Sequence, residues 1–196
     1  MTHKIGIDQA PGVRGSGYPS PFDEPCRERF RRRLGDAAGL TQFGVNLLQL
    51  PPGAWSSQRH WHTVEDEFVY VLEGEVVLVT DAGEEVLRSG DCAGFPAGVP
   101  DGHHLQNRST RAATVIEIGT RRPEDDEAFY PDIDLHALKG SGGLCAPGRT
   151  TVPGRGDVGG RAARMVCRVE RRPRCGLPCR GAQTDISVVL TVLQSA

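Results

Sequence analysis

From position 41 onward, apolar and polar residues alternate in short runs that turn-forming residues interrupt. Phe43–Leu50 (FGVNLLQL) reads as a strand, ended by Pro51, Pro52 and Gly53. Glu67–Glu73 and Glu75–Thr80 flank Gly74, and Asp81-Ala82-Gly83 turns the chain into Glu84–Leu87, a hairpin pattern. Gln58–His62, Cys92–Phe95, His103–Asn107 and Ala113–Ile118 are further short strands. Many short strands with regular turns and no long helical period predict an all-β fold, an antiparallel sandwich or barrel of the jelly-roll kind.

The run Glu67–Leu72 carries a second message. Glu67, Val69 and Val71 share one parity and are expected to face a cavity, whereas Phe68, Tyr70 and Leu72 share the other. Both faces are apolar, so both need cover. The second sheet, the N-terminal segment or another copy of the chain could supply it, which makes a homodimer an expectation.

Outside this region the pattern fades. Residues 1–40 read as an irregular arm broken by Pro11, Gly12, Gly15, Gly17, Pro19 and Pro21, with Tyr18, Pro19 and Phe22 expected to lie over the barrel or over a neighbouring subunit. Residues 121–138 form an acidic strap leaving the barrel. Residues 139–196 form a Gly/Arg/Pro-rich tail, expected to be largely disordered or to be the product of a shifted reading frame. Only Ile186–Leu193 in that tail has strand character.

Charge sharpens these boundaries. Residues 1–138 hold 13 Lys/Arg against 22 Asp/Glu, and residues 139–196 hold 10 against 3, so a formal net charge of −2 conceals an acidic body and a basic tail. Five arginines fall within Arg27–Arg33, but no nucleic-acid-binding motif accompanies them. They read as a solvated strand or helix face, or as partners of an acidic surface, and no nucleic-acid partner is expected. No run of eighteen apolar residues suggests a membrane helix, and no N-terminal stretch combines basic residues with a long apolar run, so no signal peptide is expected. Six irregularly spaced cysteines make a poor disulfide framework, consistent with a cytoplasmic location. Cys167, Cys175 and Cys179 match no common zinc spacing.

The chemistry concentrates in Gly53–Gly74. His60 and His62 are two apart, so an extended segment aims both imidazoles the same way, and Glu67 opens the next strand. Two neutral nitrogens and a carboxylate from adjacent strands suit a divalent transition metal. A second stretch, Gly90–Asn107, supplies His103 after the turn residues Pro96, Gly98 and Pro100, with His104 as the alternative ligand. Parity and nearness mark Trp55, Gln58, Val69, Phe95 and Gln106 as candidate pocket residues.

Together these stretches resemble the two motifs of the cupin superfamily. The first, G-x5-H-x-H-x4-E-x6-G, fits at Gly53, His60, His62, Glu67 and Gly74, with six residues before His60 rather than five. The second, G-x5-P-x-G-x2-H-x3-N, fits at Gly90, Pro96, Gly98, His103 and Asn107, with four residues between Gly98 and His103 where the pattern has two. The short spacer, residues 75–89, is similar to that of compact single-domain microbial members. The resemblance implies a double-stranded β-helix over residues 41–120, one divalent metal ion (Fe, Mn, Ni or Zn) and pairing of subunits. It admits a small metalloenzyme of oxygenase, isomerase or lyase type, acting on a small oxygenated and anionic metabolite, and equally a non-enzymatic binding or sensing barrel. The residues identify no separate catalytic base.

Overall fold

The structure is a computed structural model that describes residues 4–140 and 144–145. Its strands in chain order are β1 (Gly12–Arg14), β2 (Phe30–Arg33), β3 (Phe43–Leu50), β4 (Trp61–His62), β5 (Glu67–Glu73), β6 (Glu75–Thr80), β7 (Gly83–Arg88), β8 (Cys92–Phe95), β9 (His104–Gln106), β10 (Ala113–Thr120), β11 (Ala128–Tyr130), β12 (Leu135–Ala137) and β13 (Leu144–Cys145). One α-turn, Leu34–Ala37, is the longest helical segment among the described residues, and no helix there is long and apolar enough to cross a membrane.

A six-stranded sheet in the order β1-β2-β3-β10-β5-β8 faces a three-stranded sheet β7-β6-β9, and a four-stranded sheet β13-β12-β11-β4 closes one side. All pairings are antiparallel. The core lies between the six-stranded and three-stranded sheets, where Leu48, Leu50, Val71, Val76, Leu105 and Val115 are buried. Each side chain of this size contributes roughly 1.5–3 kcal/mol by leaving water. A smaller cluster of Ala128, Tyr130 and Leu135 forms under the four-stranded sheet, with Tyr18, Phe22 and Leu144 packed against it.

Gly74 joins β5 to β6 with φ +79°, a conformation that side-chain-bearing residues rarely adopt. A Cβ there would lie 2.8 Å from the Ala112 carbonyl oxygen. Asn107, fully buried, donates to the carbonyls of Leu50 and Arg111 and accepts from the amide and hydroxyl of Ser109. It ties the start of β10 to the end of β3.

Three expectations change here. The N-terminal segment is not only an arm, because β2 pairs with β3 over Phe30–Arg33 and extends the large sheet. Residues 121–138 do not leave the barrel: Ala128 and Phe129 pair with His62 and Trp61, which folds the acidic segment back over β4. The expected strand Gln58–His62 is hydrogen-bonded as a strand only at Trp61–His62, with an isolated bridge between His60 and His103. Pro51–Arg59 instead forms turns that hold the end of β3 against β9. Leu144 and Cys145 pair with β12, and the expectations for residues 146–196, including Ile186–Leu193, lie outside the described residues.

On β5 the alternation is plain. Val69 and Val71 are buried, whereas Phe68, Tyr70 and Leu72 are 38%, 39% and 45% exposed. Among the described residues, neither the arm nor the second sheet covers that outer face.

Candidate metal centre and its cavity

His60 and His103 are held opposite each other by two reciprocal backbone hydrogen bonds, His103 N to His60 O at 2.8 Å and His60 N to His103 O at 3.2 Å. His62 projects from β4 and Glu67 from the first position of β5. The result is a convergence on one atom. Oε2 of Glu67 lies 3.5 Å from His60 Nε2, 3.7 Å from His62 Nε2 and 2.9 Å from His103 Nε2. The donor atoms of His60, His62 and Glu67 all lie within 4.8 Å of one another, and His103 joins them through Glu67.

The opposite edges of the His60 and His62 rings are fixed by acceptors, whereas His103 Nδ1 is buried without a partner among the described residues. His60 Nδ1 donates to the Gln58 carbonyl at 2.9 Å, and His62 Nδ1 donates to Asp126 Oδ2 at 2.5 Å. Protons placed on Nδ1 leave the Nε2 lone pairs facing inward in the neutral rings. Several lone pairs and a carboxylate crowded together repel one another unless a cation stands among them, so the donor set fits a divalent metal ion. Phe95 stacks on the His103 ring at 3.5 Å between centroids, and Tyr130 stacks on His60 at 5.5 Å.

The electrostatics agree with that geometry. Burial alone would push Glu67 up and His60 down. Their mutual attraction outweighs it, holding the Glu67 carboxyl well below the usual carboxylate range and raising His60. Asp126 is likewise lowered, because hydrogen bonds from His62 and from the amides of Val64 and Glu65 overcome the cost of its burial.

The cluster borders a cavity of about 570 Å³. His60, Glu67, Val69, Phe95, His103 and Tyr130 line one part, and Arg29, Arg31, Arg33, Glu117 and Arg121 line the rest. Arg31 grips Glu117 with both ends of its guanidinium at 2.7 and 2.8 Å. His62, Glu67 and His103 also border a second, small cavity of about 60 Å³ that reaches Val99.

Comparison with known proteins now bears on this arrangement. Residues 46–119 match a family profile described as a cupin domain. A crystal structure described as a sugar phosphate isomerase from a cupin superfamily, from Silicibacter pomeroyi, is 49% identical; the match covers 68% of this chain and 84% of that one, with a TM-score of 0.65. The chain is a cupin. A second structure, a putative sugar phosphate isomerase from Acidithiobacillus ferrooxidans, is 32% identical over 60% of this cupin and 74% of that chain, with a TM-score of 0.56. A third relative is quercetin 2,3-dioxygenase of Bacillus subtilis (strain 168), 35% identical over 60 residues. That match spans 31% of this cupin and only 18% of the dioxygenase.

Within this cupin, Val69 and Phe95 line the cavity. Trp55, Gln58 and Gln106 stand beside it and are committed elsewhere. Gln58 Nε2 donates to the Phe22 carbonyl at 2.7 Å, Gln106 Nε2 donates to His104 Nε2 at 2.9 Å, and Trp55 packs edge-on to His104. His104, the alternative ligand, therefore has both ring nitrogens occupied, since Nδ1 donates to the Ser57 carbonyl. Burial, the dominant influence on it, lowers its pKa and favours the neutral ring.

Sequence reasoning missed Asp126, Tyr130, Arg29 and Arg31 at this site. Strand parity could have found the arginines: Arg31 pairs with buried Leu48 and Arg33 with Asn46, so alternate arginines of β2 point inward. The expected solvated face is only the other half of that strand.

Proposed function

We propose that this cupin is a metal-dependent enzyme of isomerase type acting on a small, anionic, oxygenated metabolite. One divalent transition metal would be held by His60, His62, Glu67 and His103. The convergence of three imidazole nitrogens on Glu67 Oε2 carries the reading. When bound, the metal would supply a Lewis acid to polarise a carbonyl or hydroxyl oxygen of the substrate. The chain's own residues do the rest. His60, His62 and His103 present neutral donors, Glu67 offsets one positive charge, and Phe95 and Tyr130 wall the site with aromatic faces. Arginines around the cavity favour an anionic substrate, and the similarity to a protein described as a sugar phosphate isomerase supports that class.

Elemental analysis of protein purified without a metal-affinity tag tests the first half, with iron, manganese, nickel or zinc expected near one equivalent. The second half is tested by His60→Ala, which is expected to abolish turnover of aldose–ketose phosphate pairs while preserving the fold. Ligand binding that survives metal removal, in a protein that turns over no such pair, would instead identify a non-enzymatic binding barrel.

We further propose that this cupin pairs with a second copy through the outer face of β5. Phe68 and Tyr70 are there partnered across the sheet by Ile118 and Ile116 of β10, which continue the apolar strip.

A further inference from the structure

Arg29 is the anomaly of the cavity. It is 7% exposed, yet it belongs to no ion pair among the described residues. The neighbouring arginines differ: Arg31 is neutralised by Glu117, and Arg33 and Arg121 share Asp36. A guanidinium remains protonated at any physiological pH, so it cannot escape burial by losing its proton. Unpaired buried charge is costly unless a counter-ion completes the site.

The side chain is also held ready. Arg29 Nε donates to the Gly15 carbonyl at 2.9 Å, and the Gly15 amide donates back to the Arg29 carbonyl at 2.9 Å. These bonds fix the stem and leave the two terminal nitrogens without a protein acceptor among the described residues. Tyr18 lies beside it. It lines the same cavity, with its ring edge-on to Tyr130 at 5.5 Å between centroids. Burial raises Tyr18 and the adjacent Cys26, so neither offers a negative charge to Arg29. Tyr18, Arg29 and Tyr130 all line the cavity, and Tyr130 links them to the metal cluster through its stack on His60.

We propose that Arg29 and the Tyr18 hydroxyl form an anion subsite that binds the phosphate monoester group of the substrate, leaving its oxygenated carbons beside His60 and Glu67. This rests on the catalytic reading above for the identity of the ligand as a substrate, but not for the anion binding itself. Two parallel N–H donors match two phosphate oxygens, and a hydroxyl donor serves the third. A carboxylate fills the fork but leaves the tyrosine donor unused.

The test titrates inorganic phosphate into the full chain, in chelator and again after loading with manganese, following calorimetric affinity and melting temperature. Phosphate is expected to bind and stabilise the wild type in both conditions. Arg29→Gln should weaken it at least tenfold, Arg29→Lys should recover part of the loss, and Tyr18→Phe should cost severalfold. Acetate should bind more weakly than phosphate. Equal phosphate affinity in wild type and Arg29→Gln, absence of phosphate binding in wild type, or acetate binding as tight as phosphate would each overturn the subsite. Should Arg29→Gln fail to fold, Arg29→Lys and Tyr18→Phe carry the comparison. Because the chelator arm contains no metal, failure of the metal assignment leaves this result readable on its own.

Discussion

Asp126 accepts a hydrogen bond from His62 Nδ1 at 2.5 Å, across 64 residues of sequence. The same carboxylate takes the amides of Val64 and Glu65 and the Thr63 hydroxyl, so it is fixed before it fixes the histidine. Carboxylates placed behind a histidine in this way set its tautomer and aim its other nitrogen. Asp126→Asn keeps the shape but turns an amide NH₂ toward groups that are themselves donors. Divalent-metal affinity is expected to fall roughly 10–100-fold, with an unchanged far-ultraviolet spectrum. Competition titration against a chromophoric chelator measures it, and an affinity within twofold of wild type would remove Asp126 from this role.

Acid should act twice on the metal-free protein. Glu67 and Asp126 sit below their ordinary values of 4.5 and 3.8 when folded. Their contribution to stability is therefore complete above about pH 4.5 and is lost as the pH falls below that, because the unfolded chain takes up protons first. Urea midpoints measured from pH 7 to pH 3 should drop most below pH 4.5, and the drop should be shallower in Asp126→Asn.

Metal uptake should show the opposite partner of that pair. His60 is raised above its ordinary 6.5 by Glu67, against the effect of burial, and a protonated ring cannot donate to a metal. Affinity is expected to be full at pH 8 and to decline as the pH falls through the raised value. A flat profile between pH 8 and pH 6 would contradict it.

Two positions test how tightly the barrel is sewn. Gly74→Ala forces a side chain into positive φ and against the Ala112 carbonyl, at an expected cost of about 1–3 kcal/mol in urea unfolding. Asn107→Ala strands the carbonyls of Leu50 and Arg111, at an expected cost of about 2–4 kcal/mol. A loss below about 0.5 kcal/mol at either site would mean the local geometry relaxes freely.

Tyr70→Glu tests the pairing of copies. Light scattering after size exclusion should give a dimer for wild type at micromolar concentration and a monomer for the variant. A wild-type monomer would leave the exposed strip of β5 without that role.

Much of the site is legible in sequence because it is local. His60 and His62 lie two apart, Glu67 opens a strand whose alternation is clear, and Asn107 marks the end of the strand after His103. What escaped depends on pairing between distant segments. Asp126 stands in a run of four acids, Glu124–Glu127, that looks like solvated charge until β11 pairs with β4. Tyr130 follows the same segment. Arg29 and Arg31 read as surface until β2 is known to join β3. Trp55, Gln58 and Gln106 rest on parity and nearness alone, and neither shows the partners that hold them beside the cavity: the Phe22 carbonyl for Gln58 and the His104 ring for Gln106 and Trp55.

The return of β11 onto β4 also bears on where the working unit ends. A chain cut after Thr120 would retain all the strands of the six-stranded and three-stranded sheets, yet it would surrender the carboxylate behind His62 and the ring over His60. Such a fragment is a vessel without its fittings: it should fold around the same apolar interior while holding metal loosely. The matched family segment, 46–119, is thus shorter than the apparatus it houses.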